Sequence, residues 1–163
     1  VPQHGVRVVS VDLDDLRQLT DAAVEVETLV LRRSLAEGSL EWESGVLAAH
    51  HHLSRLALRD SDATINDEWA LAHTRFHMSI LEGCSNQRLT GIAASLRDAG
   101  EIYRRWAERP GAMTEEEHID NHRRIRDLVV ERDTEAAVEE LRRHIELTTA
   151  LIMAARAGDP GSG

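Results

Sequence analysis

The chain has 163 residues, 42% of them hydrophobic and 29% charged, but only 3% aromatic. That length suits one domain with an ordinary core, and a core so poor in aromatics must come from Leu, Ile, Val and Ala, which favours packed helices over a sandwich or barrel. The formal net charge is −10, and all 19 basic residues are arginines, with no basic stripe for direct contact with DNA.

A single cysteine, Cys84, excludes a disulfide framework and fits a cytoplasmic protein. No apolar run is long enough to span a membrane, and no segment reads as a signal peptide. Residues 1–11 read as an extended linker. Residues 158–163, ending in GDPGSG, read as a flexible tail. Between them, residues 12–157 carry helical periodicity. The first helix opens on an acidic turn at Asp12, Asp14 and Asp15 and stops at Gly38. The second starts with Ser39 as N-cap and runs to about Leu58. A loop, RDSDATIN, precedes a third helix from about Asp67 to Cys84. The fourth spans about Gln87 to Glu108 and ends at RPG. The fifth runs from about Thr114 to Glu131. The sixth starts near Asp133 and ends before Gly158. Short loops make successive helices antiparallel, so the expected fold is an all-α antiparallel bundle of about six helices around a central cavity.

Nine histidines are distributed over this pattern. On the third helix Trp69, His73, His77, Ile80 and Cys84 form one stripe, so both imidazoles face the core. His118, His122, Ile125 and Val129 form a stripe on the fifth. Ala137, Leu141, His144, Thr148 and Leu151 form another on the sixth. His122 lies about ten residues before the ERDTE turn and His144 about ten after it, so a hairpin brings them level. Unpaired buried imidazoles are costly, and one cation satisfies several at once. Spacing alone leaves His118 and His144 as alternative partners. In His50, His51 and His52, consecutive residues point about 100° apart, so at most two face inward. Catalytic patterns fit poorly. HIDNH has Ile119 where a zinc protease needs glutamate, and only one Glu-x-x-His motif occurs, at Glu115 and His118.

RFHMSILEGCSNQRL, NHRRIRDLVVERDTEAAVEELRRHI and the opening DLDDLRQLT together resemble the FCD domain. This is the C-terminal effector-binding domain of GntR-type bacterial transcription regulators of the FadR subfamily. The resemblance covers nearly the whole chain, and HGVRVVSVDLDDL resembles the last wing strand and linker after a winged helix. It implies a divalent metal, zinc or nickel, on His77, His122 and His144, with His73 where the family has aspartate. His118 then becomes a pocket wall. Asn121 stands where glutamate is common and Ala23 where arginine is. The resemblance also implies a small carboxylate effector completing the metal shell, with Arg97, Arg104 or Arg105 pairing its distal end.

The expected function is therefore ligand sensing in a homodimeric regulator that meets operator DNA only through a winged helix outside this chain. A metal-dependent hydrolase-like bundle is the alternative. It needs an inward general base, and the acidic residues are expected mostly in first turns and on outward faces, so no enzyme activity is expected. A plain dimerisation module would not explain the inward histidines.

Overall fold

The computed structural model describes residues 12–107 and 114–157; the expected linker at 1–11, tail at 158–163 and RPG stop at 109–111 lie outside the described residues. The described residues form six α-helices in chain order: α1 Leu13–Glu37, α2 Leu40–Leu53, α3 Asp67–Leu81, α4 Gln87–Ala107, α5 Glu115–Val130 and α6 Thr134–Ala157. Among the described residues the only β pairing is an isolated bridge between Arg59 and Ile65. The expected all-α bundle is what forms.

Capping chemistry sets most boundaries. The side chains of Asp12, Ser39 and Asn66 accept backbone N–H groups at the starts of α1, α2 and α3. Thr114 and Glu117 close a reciprocal capping box at the start of α5. Two expected ends are too long. α2 stops at Leu53 rather than near Leu58, because the next turn tightens: Arg55 and Leu56 N–H groups donate to His52 and Leu53 carbonyls. Leu58 then turns into the core, and its N–H donates to Glu115 at the start of α5. α3 stops at Leu81 rather than Cys84, and Cys84 still packs in the core.

Inter-helix pairs give the orientation. Thr20 meets Thr149, and Arg32 meets Glu135, so α1 and α6 run antiparallel. Glu27 meets Arg97 and Asp15 meets Tyr103, so α1 and α4 also run antiparallel. The main core gathers around α3, with Phe76, Ile80 and Leu81 fully buried against Leu31, Val46, Ile125, Val129 and Leu141. A smaller cluster of Leu16 and Ile152 sits apart, between the start of α1 and the end of α6.

One end of the bundle is held by close approach. Ser34 donates to the Leu81 carbonyl at 2.7 Å, and the Trp42 indole donates to the Ser79 carbonyl at 2.8 Å. A Cβ on Gly38 would lie 2.3 Å from the Trp42 ring, and one on Gly83 would lie 2.7 Å from the Ser34 carbonyl. Only glycine fits at either place. Arg132, at φ 55° in the α5–α6 turn, places its guanidinium over Trp42 and donates to the Leu35 and Gly38 carbonyls at 3.0 Å. It thereby satisfies carbonyls at the negative end of α1.

Arg132→Ala should lower unfolding free energy by about 1–2 kcal/mol in denaturant titrations, since it removes charge-assisted bonds and a cation–π contact. An unchanged midpoint would contradict this role. Glu37 receives hydrogen bonds from Ser85 and then Arg33, which hold its pKa down from 4.5 to about 2. Its folded pKa is below its unfolded one, so its contribution is complete above pH 4.5 and fades as pH falls toward 2. The stability gap between wild type and Glu37→Gln should therefore narrow from pH 7 to pH 3. A constant gap would refute the linkage.

Candidate metal centre

The stripe on α3, the hairpin of α5 and α6 and the fourfold histidine pattern meet at one place. His73, His77, His122 and His144 each bring a ring nitrogen within 4.8 Å of all the others. His122 and His144 ring centroids are 5.0 Å apart, as the hairpin spacing implies. His77 and His122 are fully buried, His73 is 8% exposed, and His144 stands half-buried at a cavity wall. Burial, above all, keeps these rings neutral. It pushes the His122 pKa down to about 3 and holds His73, His77 and His144 well below 6.5. Neighbouring arginines and the other rings push in the same direction.

Proton placement then becomes decisive. The His122 Nδ1 lies 2.6 Å from the His118 carbonyl, which has no proton to give, so Nδ1 donates. A neutral ring has one proton, so the Nε2 of His122 presents a lone pair to the Nε2 of His77 at 3.2 Å. The same His77 atom lies 3.2 Å from the Nε2 of His73. One proton on that nitrogen serves His122 and leaves nothing to accept from His73. Nδ1 of His77 is buried without a partner in either tautomer. Lone pairs therefore converge on a space where protons cannot satisfy them all. A cation in that space accepts one lone pair from each ring, and the His118 carbonyl that orients His122 is the kind of outer contact that metal-ligating histidines make.

A cavity of about 100 Å³ opens beside this cluster, between α1, α4 and α6. That is room for several waters or a small organic acid. His73 and His144 belong to both cluster and cavity. Leu16, Leu19 and Ile152 line it at the start of α1 and the end of α6, and Arg97, Arg104, Glu27 and Glu101 supply its charge. Trp69 stacks on His73 with centroids 4.8 Å apart, and the Arg104 guanidinium lies over Trp69 at 5.2 Å.

The remaining expected site residues fall differently. Arg97 and Arg104 line the cavity, whereas Arg105 is about half-exposed and pairs with Glu101 and Asp67 outside it. His118 faces a separate hollow of about 10 Å³, with His50 and Trp69. Of the triple-histidine run, His50 is buried, while His51 and His52 are exposed. Most acidic residues do lie in first turns or on outward faces, with two exceptions among the described residues. Glu27 is 2% exposed and Glu140 5%, each paired with arginine. Glu27 carried a legible signal, four residues after Ala23 and four before Leu31 on the inward stripe of α1.

Comparison with known proteins now bears on this geometry. The FCD domain model matches residues 12–147. The HTH-type transcriptional repressor GlaR of Escherichia coli (strain K12) is 35% identical over 162 residues, spanning 98% of this chain and 74% of that protein. The uncharacterized HTH-type transcriptional regulator BphR of Paraburkholderia xenovorans (strain LB400) is 33% identical, spanning 92% of this chain and 62% of that one. A crystal structure of a transcriptional regulator, a GntR family member from Pseudomonas syringae pv. tomato str. DC3000, superposes with a TM-score of 0.70 at 16% identity. It covers 89% of this chain and 59% of that chain, and shows the common fold. The chain belongs to the FCD-domain family. Its named relatives are regulators, not enzymes.

In EDTA, His77→Leu should unfold at a temperature equal to or above that of wild type. It replaces a buried ring with an unsatisfied nitrogen by an apolar side chain of similar size. A loss of more than about 2 kcal/mol would show instead that the imidazoles satisfy one another without a cation.

Proposed function

We propose that this chain is the ligand-sensing domain of a cytoplasmic, homodimeric regulator of the FadR subfamily. It binds one divalent transition metal, zinc or nickel, through His73, His77, His122 and His144, together with a small carboxylate. The convergence of four neutral imidazoles beside a cavity carries this reading. Neutral imidazole suits zinc and nickel. Such a metal supplies a Lewis-acid anchor for one carboxylate oxygen.

The chain's own residues do the rest. Four uncharged ligands leave both charges of a divalent cation uncompensated, which favours an anionic effector. Arg97 and Arg104 would take its distal end, since a guanidinium fork matches a carboxylate. Arg105 would act at one remove, sharing Glu101 with Arg104. His118 would orient His122 through its carbonyl. Leu16, Leu19 and Ile152 would cover the hydrocarbon part and exclude water. An effector that binds one arrangement of the helices better than another shifts their equilibrium, and operator affinity follows through the winged helix of the whole regulator.

Elemental analysis tests the metal half. Protein purified without a metal column should carry about one transition metal per chain, and His77→Ala should retain less than about a tenth of it, because the central nitrogen of the cluster is gone. Wild type that stays metal-free after incubation with zinc and with nickel would overturn the reading.

A further inference from the structure

We propose that Glu27 is a specificity-determining residue of the cavity: it occupies Arg97 in place of a ligand carboxylate and makes anion binding conditional on the cation. This inference rests on the metal and carboxylate reading above.

Glu27 comes from α1 and Arg97 from α4, and both line the cavity that His73 and His144 share with the histidine cluster. Glu27 is 2% exposed, so it cannot swing out to water when a ligand arrives. The Arg97 guanidinium is only partly used. One terminal nitrogen holds Glu27, while the buried Nε has no partner. A ligand carboxylate in the cavity would meet this guanidinium, which lines its wall. The ligand would then compete with the Glu27 carboxylate, which burial pushes toward the neutral acid and which Arg97 holds charged against that push, and like charges on one guanidinium repel.

Counting charges around the cavity shows when this repulsion is overcome. Arg97 is matched by Glu27 and Arg104 by Glu101, so the two ion pairs in the wall carry no net charge. Without a cation these groups sum to zero and offer an anion no net attraction. A divalent cation on the cluster raises the sum to +2, and a dicarboxylate restores neutrality. Glu101 is a weaker candidate for the same role. It sits on the same helix as its arginine and its side chain is 22% exposed, so water screens it. A ligand that shares Arg97 also weakens an ion pair between α1 and α4, so cavity occupancy is felt directly by α1.

Succinate, a small dicarboxylate, is the probe. Its binding would be measured calorimetrically on the whole chain, wild type and Glu27→Gln, each in EDTA and with one equivalent of zinc. In EDTA, Glu27→Gln should bind succinate at least about tenfold more tightly than wild type, the scale expected when one buried like charge is removed. Zinc should narrow the gap, and adding Arg97→Gln should abolish the gain. If Glu27→Gln does not fold, Glu27→Met should show the same gain. Succinate binding in EDTA that is no tighter than wild type, a gain that survives Arg97→Gln, or no binding by any of these proteins would overturn the proposal. Should zinc add nothing to wild type while Glu27→Gln still gains in EDTA, the metal reading fails and the hold of Glu27 on Arg97 stands.

Discussion

Four uncharged imidazoles, three of them buried, meet at one place, and their lone pairs cannot all be met by protons. That shortage organises much of the molecule. It comes from burial, which keeps the rings neutral, and from the His118 carbonyl, which takes the one proton of His122 on the side away from the cluster. The hairpin of α5 and α6 has to hold His122 and His144 level, and α3 has to present His73 and His77 one turn apart. Shifting either element by one residue would turn the rings about 100° away.

The cavity beside the cluster follows the same logic of neutralised charge. Each arginine in its wall has a glutamate of the chain against it, and one of those glutamates crosses from another helix. A bundle with a plain core would have no use for such groups, because buried ion pairs contribute little net stability. Their presence beside a histidine cluster is economical if something charged comes and goes there. The apolar lid of Leu16 and Ile152 stands apart from the main core, so the cavity interrupts packing between the two clusters.

Rigidity is placed elsewhere. Ser34, Trp42, Gly38, Gly83 and Arg132 bring the end of α1, the start of α2, the end of α3 and the α5–α6 turn into near contact. The main core continues from that end around α3 up to His77. Helices α1 and α6 are thus anchored away from the cavity they line, and a change at Arg97 or His144 acts on segments that are not themselves locked by the glycine contacts.

Period and capping residues were enough to read six helices, most of their starts and the antiparallel order, because each depends on neighbours within a turn or two. The inward placement of His73, His77, His122 and His144 was legible for the same reason: each repeats at three or four residues with apolar partners. The ends of α2 and α3 were not, since they depend on Glu115 capturing the Leu58 N–H and on Gly83 fitting under Ser34, contacts across 47 residues or more. Nor could the sequence separate Arg97 and Arg104, which line the cavity, from Arg105, which does not, because neighbouring residues on a helix differ by about 100° in direction and only packed partners say which direction is inward. Helix position placed most acidic residues in first turns or on outward faces; the pairing of Glu27 with Arg97, seventy residues away, is a matter of tertiary contact alone.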